Sequence, residues 1–210
     1  MKKFIIITIT LLFSTAMFAQ NDVTKFLGIP IDGTKSDMIQ KLKQKGFTYN
    51  YSLDCLEGEF NGEQVLISVI TQNRKVSHIM ILDKIARTES QIKRRFNELC
   101  RQFEMSEKYY YLGDSQEIKE SEDISYNIST LNKVYKANFF QTDANTANLY
   151  KHLKSNDGTL TLVEVMKLEE DLKKGYYKQV WFLIDKDTNG KYRIAMYYAN
   201  LKNEANGEDL

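Results

Sequence analysis

The chain has 210 residues, of which 42% are hydrophobic and 27% are charged, and it contains a single proline. This composition is typical of a folded protein with one good core, or with two small cores that share an interface, and it excludes large-scale disorder. The 29 basic and 28 acidic residues nearly balance. Nucleic acid is therefore excluded as the expected partner, because phosphate binding needs a basic surface.

The first twenty residues have the order of a cleavable export signal. Lys2 and Lys3 precede an apolar run from Phe4 to Phe13, and the stretch closes with small residues up to Ala19. The run is too short to cross a bilayer, and polar residues follow the stretch directly. We therefore expect cleavage after Ala19, a periplasmic or secreted protein, and no transmembrane anchor after cleavage. Removal of residues 1–20 leaves 27 basic and 28 acidic residues.

Residues 21–112 form the predicted N-terminal half, which consists of a helix, a meander of strands and a second helix. Thr34 caps the first helix, which ends at Gly46. Tyrosines and β-branched residues between positions 47 and 82, interrupted by turn residues, predict three or four antiparallel strands. A second helix begins at Thr88. Its apolar stripe consists of Ile92, Phe96, Leu99, Cys100 and Phe103.

The second helix also carries a basic cluster, Lys93-Arg94-Arg95, away from its apolar stripe. Glu89 and Glu98 lie about one turn from members of the cluster, so ion pairs along the helix are expected. We interpret the cluster as a solvent-exposed helix face rather than as a site for phosphate or anionic lipid.

Residues 113–210 form the predicted C-terminal half. It begins with an acidic loop at 113–123, continues with two strands in 126–141, and contains a helical insertion at 145–175. A hairpin of two strands, Tyr177–Asp185 and Lys191–Asn200, ends the half. The order of helix, strands, helix and strands predicts an α+β protein. We expect antiparallel β-sheet meanders with helices packed on one face, as one compact unit or as two similar lobes.

The final hairpin supplies the predicted binding surface. A turn at Asn189-Gly190 divides its side chains into two sets, and we assign the uniformly apolar set to the core. The other set combines aromatic residues with arginine, which is typical of a partner-binding surface, so Phe182, Arg193 and Tyr197 are the predicted binding residues. The alternative is that a tail or the inserted helices cover this face. The core set is Trp181, Leu183, Ile194, Met196 and Tyr198, and the other set is Phe182, Ile184, Arg193, Ala195 and Tyr197.

No metal site, no cofactor and no set of catalytic residues is predicted. The segment Asp185–Gly190 begins like a calcium-binding loop, but Met196 stands where the loop needs a bidentate glutamate. The two histidines, His78 and His152, have no metal-ligand spacing. The glycine motifs of serine hydrolases and of phosphate-binding loops are missing as well.

Cys55 and Cys100 leave two structural alternatives. They permit one disulfide in an oxidising compartment, or they are two buried thiols that act as small hydrophobic residues. Two enzymatic alternatives also stay open. Cys55 and His78 are a candidate nucleophile and base, and acidic pairs such as Glu57 and Glu59 are candidate carboxylates of a hydrolase.

Two segments carry a resemblance to known proteins. Phe26-Leu27-Gly28-Ile29-Pro30-Ile31-Asp32-Gly33-Thr34 and the C-terminal Asn203-Glu204-Ala205-Asn206-Gly207-Glu208-Asp209-Leu210 resemble a family of uncharacterised exported proteins from Gram-negative gut anaerobes. The resemblance extends over nearly the whole mature chain in order of elements and implies a secreted α+β domain, without catalytic residues to transfer. The order of helix and meander is also similar to envelope and inhibitor modules of the beta-lactamase-inhibitor-like class.

The predicted function is a non-enzymatic binding module of the periplasm or the extracellular space. It recognises a protein or a cell-envelope component through a sheet face or a sheet edge. The alternative is a small hydrolase of the envelope or of glycans that uses paired carboxylates. Two carboxylates about 5–10 Å apart in a concave pocket favour the hydrolase, whereas a flat aromatic face favours the binding module.

Overall fold

The computed structural model describes residues 23–112, 115–154 and 161–204. The predicted export signal and the C-terminal segment 205–210 lie outside the described residues. None of the described helices is long and apolar enough to cross a membrane. The helices are α1 Lys35–Gln44, α2 Glu89–Met105, α3 Ile124–Leu131, α4 Ala144–Lys154 and α5 Leu162–Gly175. The strands are β1 Lys25–Phe26, β2 Ile29–Pro30, β3 Thr48–Asn50, β4 Cys55–Phe60, β5 Glu63–Gln72, β6 Lys75–Asp83, β7 Tyr109–Tyr110, β8 Lys136–Gln141, β9 Lys178–Lys186 and β10 Tyr192–Asn200.

Eight of the described strands form one antiparallel sheet in the order β3-β4-β5-β6-β10-β9-β8-β7, and β1 and β2 form a separate hairpin. The prediction of an α+β protein with an antiparallel sheet is confirmed. The strands β3–β6 of the N-terminal half and β7–β10 of the C-terminal half meet at the centre of the sheet, where β6 pairs with β10. This central pairing joins the N-terminal and C-terminal halves of the chain, so both halves contribute to one sheet.

The two halves of the sheet follow the same order of elements. In the first, α1 is followed by β3, β4, β5 and β6; in the second, α2 is followed by β7, β8, β9 and β10. The second half differs by its insertions, since α3 lies between β7 and β8 and the pair α4 and α5 lies between β8 and β9. α1 packs against β3–β6, whereas α2 packs against β7, β9 and β10. Each half thus covers its own strands with one helix.

Local sequence signals account for α1 and α2. The hydroxyl of Thr34 accepts a hydrogen bond from the backbone N–H of Asp37 at 3.2 Å, which satisfies one unpaired donor of the first turn of α1. In α2, the side-chain oxygen of Gln91 accepts a hydrogen bond from the backbone N–H of Thr88 at 3.0 Å. All five residues of the predicted stripe of α2 are buried in the core.

The prediction of two strands between residues 126 and 141 is wrong in its first part. Ile124–Leu131 is the helix α3, and only Lys136–Gln141 forms a strand. The carboxylate of Asp123 accepts a hydrogen bond from the backbone N–H of Tyr126 at 2.7 Å and so caps the helix. Asn132 ends the helix in the left-handed conformation, with φ of 52°. These capping residues outweigh the strand propensity of the isoleucines and the tyrosine between them.

The basic cluster of α2 is not a solvent-exposed face, because two of its three members are buried. Lys93 donates a hydrogen bond to the backbone oxygen of Glu120 at 3.0 Å, and Arg95 lies 3.6 Å from the carboxylate of Asp83. The chain between α2 and α3 packs over the helix and covers Lys93. The cluster therefore stabilises the packing of α2 rather than presenting charge to solvent.

The hairpin of β1 and β2 is anchored at one end of the sheet by hydrogen bonds. The side-chain amide of Asn200 donates to the backbone oxygen of Ile31 at 2.8 Å, and the hydroxyl of Thr24 donates to that of Ala199. The ring of Phe26 is fully buried. These contacts attach the N-terminal hairpin to the end of β10 on the side of the sheet that carries α1 and α2.

Candidate functional site

The register of the final hairpin differs by one residue from the predicted register. Tyr197 pairs with Trp181, whereas a turn at Asn189-Gly190 would pair Tyr197 with Phe182. The prediction that Phe182 shares a face with Arg193 and Tyr197 is therefore wrong. Phe182 is fully buried against α2. Arg193 and Tyr197 lie on the opposite face of the sheet, together with Trp181.

The length of the loop causes this difference. Lys186 pairs with Tyr192, so the residues 187–191 form a five-residue loop. The carboxylate of Asp187 accepts hydrogen bonds from the backbone N–H groups of Asn189 and Lys191, both at 2.9 Å. A loop with an odd number of residues exchanges the two faces of one strand relative to the predicted turn. The predicted core positions of Trp181 and Leu183 are wrong for the same reason.

The sheet face that points away from α1 and α2 carries two rows of side chains, which are apolar or aromatic except for one serine. Each row crosses β5, β6, β10 and β9, with one residue from each strand beside its cross-strand partner. Ala195 is buried, and the other seven side chains are half-buried. The eight residues form the open-face patch: Leu66, Leu82, Ala195 and Leu183 in one row, and Ser68, Met80, Tyr197 and Trp181 in the other.

An aromatic pair lies at one end of the open-face patch. The rings of Trp181 and Tyr197 stack at a centroid distance of 5.2 Å and an angle of 11°. The ammonium group of Lys136 lies 4.8 Å from the centroid of the Trp181 ring. Burial raises the pKa of Tyr197. Because each ring restricts the other, the pair offers a preorganised aromatic surface at small entropic cost.

Arg193 lies next to the patch. It is two residues before Ala195 on β10, so both side chains point to the same face of the sheet. Its cross-strand partner is Asp185, but the two side chains form no salt bridge. The Nε atom of Arg193 is buried and has no hydrogen-bond partner within the described part of the chain. The Nε–H donor of Arg193 is therefore not used by the described residues.

His78 borders the patch and is expected to make the stability of the protein depend on pH. Its Nε2 atom lies 2.9 Å from the carboxylate of Glu204, and its ring lies 5.7 Å from that of Trp181. Burial lowers the pKa of His78 below the ordinary value of 6.5, although Glu204 acts in the opposite direction. The unfolded chain then binds the proton more readily than the folded protein, so stability is lost as the pH falls below that ordinary value.

We expect the free energy of unfolding to decrease when the pH is lowered from about 7.5 to about 5.5, and to decrease less in His78→Gln. The measurement is urea unfolding of both proteins at the two pH values, followed by circular dichroism. Equal losses in the wild type and the variant would show that His78 does not carry this pH dependence.

The outer strands of the sheet offer little free edge to a partner. β3 has three residues and β7 has two. α4 lies along β7, where the ring centroid of Tyr150 is 5.0 Å from that of Tyr110. The ammonium group of Lys151 donates a hydrogen bond to the backbone oxygen of Ser106 at 2.8 Å. Of the two predicted modes of recognition, the geometry therefore favours the sheet face over the sheet edge.

Cys55 and Cys100 are buried free thiols and form no disulfide. Cys100 belongs to the core stripe of α2, whereas Cys55 lies at the start of β4. Burial raises the pKa of both thiols, and that of Cys100 reaches about 12. A thiol that stays protonated is a weak nucleophile. The environment of Cys55 therefore gives no support to a nucleophilic pair with His78.

The acidic side chains near the two faces are engaged in structural contacts. Glu57, a member of the predicted acidic pair, accepts a hydrogen bond from Lys84 at 2.6 Å, and this bond lowers its pKa. Asp143 and Asp171 lie close together, since the Thr146 hydroxyl oxygen is 3.0 Å from a carboxylate oxygen of Asp143 and 2.8 Å from one of Asp171. Burial opposes ionisation of Asp143, but the hydrogen bonds from Thr146 outweigh it and lower the pKa. A general acid requires the opposite shift.

The segment that resembles a calcium loop is the connection between β9 and β10. Asp187 accepts hydrogen bonds from the backbone of its own loop, which accounts for its position without a metal ion. Across the described ranges, the structure contains no group of three or more His, Cys, Asp and Glu side chains that could hold a metal.

The resemblance to exported proteins of gut anaerobes stays a prediction. The function of the protein is inferred from the arrangement of its side chains, above all from the open-face patch. Comparisons of the chain with protein-family models, with curated proteins and with solved structures found no match.

Proposed function

We propose that the protein is a non-enzymatic binding module of the periplasm or the extracellular space, and that its open-face patch binds a protein partner. The observation that carries this proposal is the stacked pair of Trp181 and Tyr197, half-buried on the sheet face opposite α1 and α2. Protein interfaces are enriched in tyrosine, tryptophan and methionine at their centres, and these residues supply most of the binding energy.

The surroundings of the patch indicate the chemistry of the partner. The apolar rows accept aliphatic or aromatic side chains from a complementary protein surface. Lys136 and Arg193 stand at the border and supply positive charge that the described residues do not neutralise by salt bridges. We therefore expect an apolar contact surface with carboxylates at its rim, because complementary rim charges speed association and select partners.

Capture from an envelope extract tests the proposal directly. Tagged, signal-cleaved protein is compared with Trp181→Ala/Tyr197→Ala and with the matched control Tyr51→Ala/Tyr126→Ala. The control removes two tyrosines that are 85% and 53% exposed and lie outside the patch. We expect one protein to be captured by the wild type and the control, and its affinity for the patch variant to fall by roughly thirtyfold, as for interface hot spots.

Three results would contradict the proposal. Equal capture by the patch variant and the wild type would exclude the patch as the binding surface. Capture that survives protease digestion of the extract would indicate an envelope glycan or lipid instead of a protein. Loss of capture in the control pair would place the interface elsewhere. Circular dichroism of each variant verifies that the fold is retained.

A further inference from the structure

A second concave site lies on the opposite side of the sheet, beneath the hairpin of β1 and β2. Two adjoining cavities of about 520 and 800 Å³ meet there, which is the size range of small-molecule sites. We call the combined space the hairpin cleft. The residues that line both cavities are Leu27, Phe60, Ser106, Tyr109 and Tyr198.

The smaller cavity lies where the two halves of the fold meet. It is lined by Phe47 and Phe60 of the first half and by Gln102 and Phe103 of α2. Leu27, in the turn of the β1 and β2 hairpin, lines both cavities. The side-chain amide of Gln141 holds the hairpin, since its oxygen accepts from the backbone N–H of Lys25 at 2.6 Å and its nitrogen donates to the backbone oxygen of Lys25 at 3.0 Å.

The interior of the cleft is largely apolar but contains the hydroxyl group of Tyr109. Because its oxygen accepts from Lys25, the amide of Gln141 has a fixed orientation and presents its N–H to the Tyr109 oxygen at 3.3 Å. The hydroxyl of Tyr198 also interacts with that of Tyr109. Burial raises the pKa of Tyr109, so its hydroxyl stays protonated.

Charges of both signs line the larger cavity, with lysines in excess. Its three lysines are Lys25, Lys108 and Lys178, and its two aspartates are Asp143 and Asp171. Neither Lys25 nor Lys108 forms a salt bridge with the described residues. The cleft therefore presents a small excess of positive charge beside an apolar space.

Leu27 stands at the mouth of the cleft in an unfavourable backbone conformation. Its φ is 50°, and the following Gly28 has φ of 80°, so the pair forms a turn in which asparagine or glycine is preferred at the first position. The side chain is 38% exposed and lines both cavities. Although the positive φ is unfavourable for leucine, the Leu27 side chain supplies apolar surface at the entrance of the cleft.

We propose that the hairpin cleft binds an amphipathic anion, with an apolar chain or ring in the cavity and a carboxylate or phosphate near Lys25, Lys108 and the Tyr109 hydroxyl. Three features agree with this ligand: an apolar space of suitable volume, an excess of lysines over aspartates around the larger cavity, and the hydroxyl of Tyr109. The site is on the opposite side of the sheet from the open-face patch, so this inference does not depend on the proposed protein partner.

Displacement of a fluorescent probe tests the inference. The probe is the aromatic sulfonate 8-anilinonaphthalene-1-sulfonate, and the competitors are dodecanoate, dodecyl phosphate and dodecyltrimethylammonium, each below its micelle concentration. We expect both anions to displace the probe and the cation of equal chain length to bind at least tenfold more weakly. The order of the two anions distinguishes a carboxylate ligand from a phosphate ligand.

Three variants locate the binding site by isothermal titration with dodecanoate. Tyr109→Phe removes the hydroxyl donor and keeps the ring that contacts Phe103 at 4.7 Å. Lys108→Gln removes one charge, and Leu27→Asn removes the apolar side chain at the mouth while suiting the turn. We expect Tyr109→Phe and Lys108→Gln each to weaken binding by roughly tenfold, as for hydrogen bonds to a charged group. Leu27→Asn is expected to weaken binding without loss of thermal stability.

The controls are Tyr126→Phe, Lys191→Gln and Trp181→Ala/Tyr197→Ala, which change the same residue types outside the cleft. Their affinities for dodecanoate are expected to equal that of the wild type. Equal binding of the ammonium surfactant, unchanged affinity in both Tyr109→Phe and Lys108→Gln, or loss of binding in the patch variant would each overturn the inference. The last result would place the ligand on the open-face patch.

Discussion

Phe182→Ala is expected to lower the free energy of unfolding by about 3–5 kcal/mol, whereas Trp181→Ala is expected to lower it by only about 1 kcal/mol. The two residues are neighbours in β9 but lie on opposite faces of the sheet. Phe182 is fully buried, with its ring centroid 5.0 Å from that of Phe96 and 5.8 Å from that of Phe103. Its removal leaves a cavity between the sheet and α2, which the surrounding rings fill only in part.

Trp181→Ala is expected to lower the free energy of unfolding less, because the Trp181 ring is half-buried and faces solvent on the open side. The stacking with Tyr197 is the main contact removed, and such pairs contribute about 0.5–1.5 kcal/mol beyond burial. The same substitution is expected to abolish capture of the proposed partner, since Trp181 belongs to the open-face patch. Of these two adjacent residues, Phe182 is therefore expected to matter mainly for stability and Trp181 mainly for binding.

Thermal and urea unfolding of both variants provide the measurement. For a chain of this length, the loss in Phe182→Ala corresponds to a decrease in Tm of roughly 10 °C. The conservative Phe182→Leu is the matched control, because it keeps most of the buried volume and is expected to fall between the wild type and Phe182→Ala. A larger loss in Trp181→Ala than in Phe182→Ala would show that the register of β9 and β10 is the one predicted from a turn at Asn189-Gly190.

Gly58→Ala is the second substitution with a large expected effect. A Cβ atom at position 58 would lie 2.6 Å from the Cδ1 atom of Phe47, a distance at which one of the two groups has to move. Phe47 is a buried member of the core, 5% exposed, so its ring has little room to shift. We expect the free energy of unfolding to fall by about 1–3 kcal/mol, as is usual when a packed core receives an extra carbon.

A double-mutant cycle separates this steric effect from a change in strand propensity. Phe47→Leu shortens the ring that occupies the space, so Gly58→Ala is expected to cost less in the Phe47→Leu background than in the wild type. Urea unfolding of the four proteins measures the coupling free energy. An unchanged cost of Gly58→Ala in both backgrounds would contradict close packing of Phe47 against Gly58.

The open-face patch and the hairpin cleft lie on opposite faces of the sheet. The open-face patch is wide and partly solvent-exposed, and its aromatic pair suits a protein surface. The hairpin cleft is concave and largely apolar, with more lysines than aspartates around its larger cavity, so it suits a small molecule. Because β10 contributes Tyr197 to the patch and Tyr198 to the cleft, the two sites lie back to back across one strand.

Elements with strong local signals could be predicted from the sequence. α1 and α2 have both a capping residue and a long apolar stripe, so local preference and burial favour the same structure. α3 could not be predicted, because its eight residues are rich in isoleucine and carry few helix formers. Its caps, Asp123 and Asn132, prevail in the structure, but in the sequence they are a weaker signal than the strand-forming residues between them.

The candidate binding face could be predicted only in part. Arg193 and Tyr197 lie on the open side as expected, but Phe182 does not, because the face of a strand residue depends on the parity of the loop. The signal that could have revealed this is Asp187, whose side chain organises a longer loop around Asn189-Gly190. Alternation within each strand determines which residues share a face, but it does not determine which face of one strand matches the other.

The sequence by itself determined the α+β class, the antiparallel meanders and the positions of the main helices, because these depend on periodicity and capping over short distances. Only the tertiary structure decided that β6 and β10 join the two halves into one sheet, that Trp181 belongs to the open side, and that a cleft remains beneath the N-terminal hairpin. Each of these features depends on contacts between residues far apart in the chain. Such contacts are set by packing, which leaves no periodic pattern along the sequence.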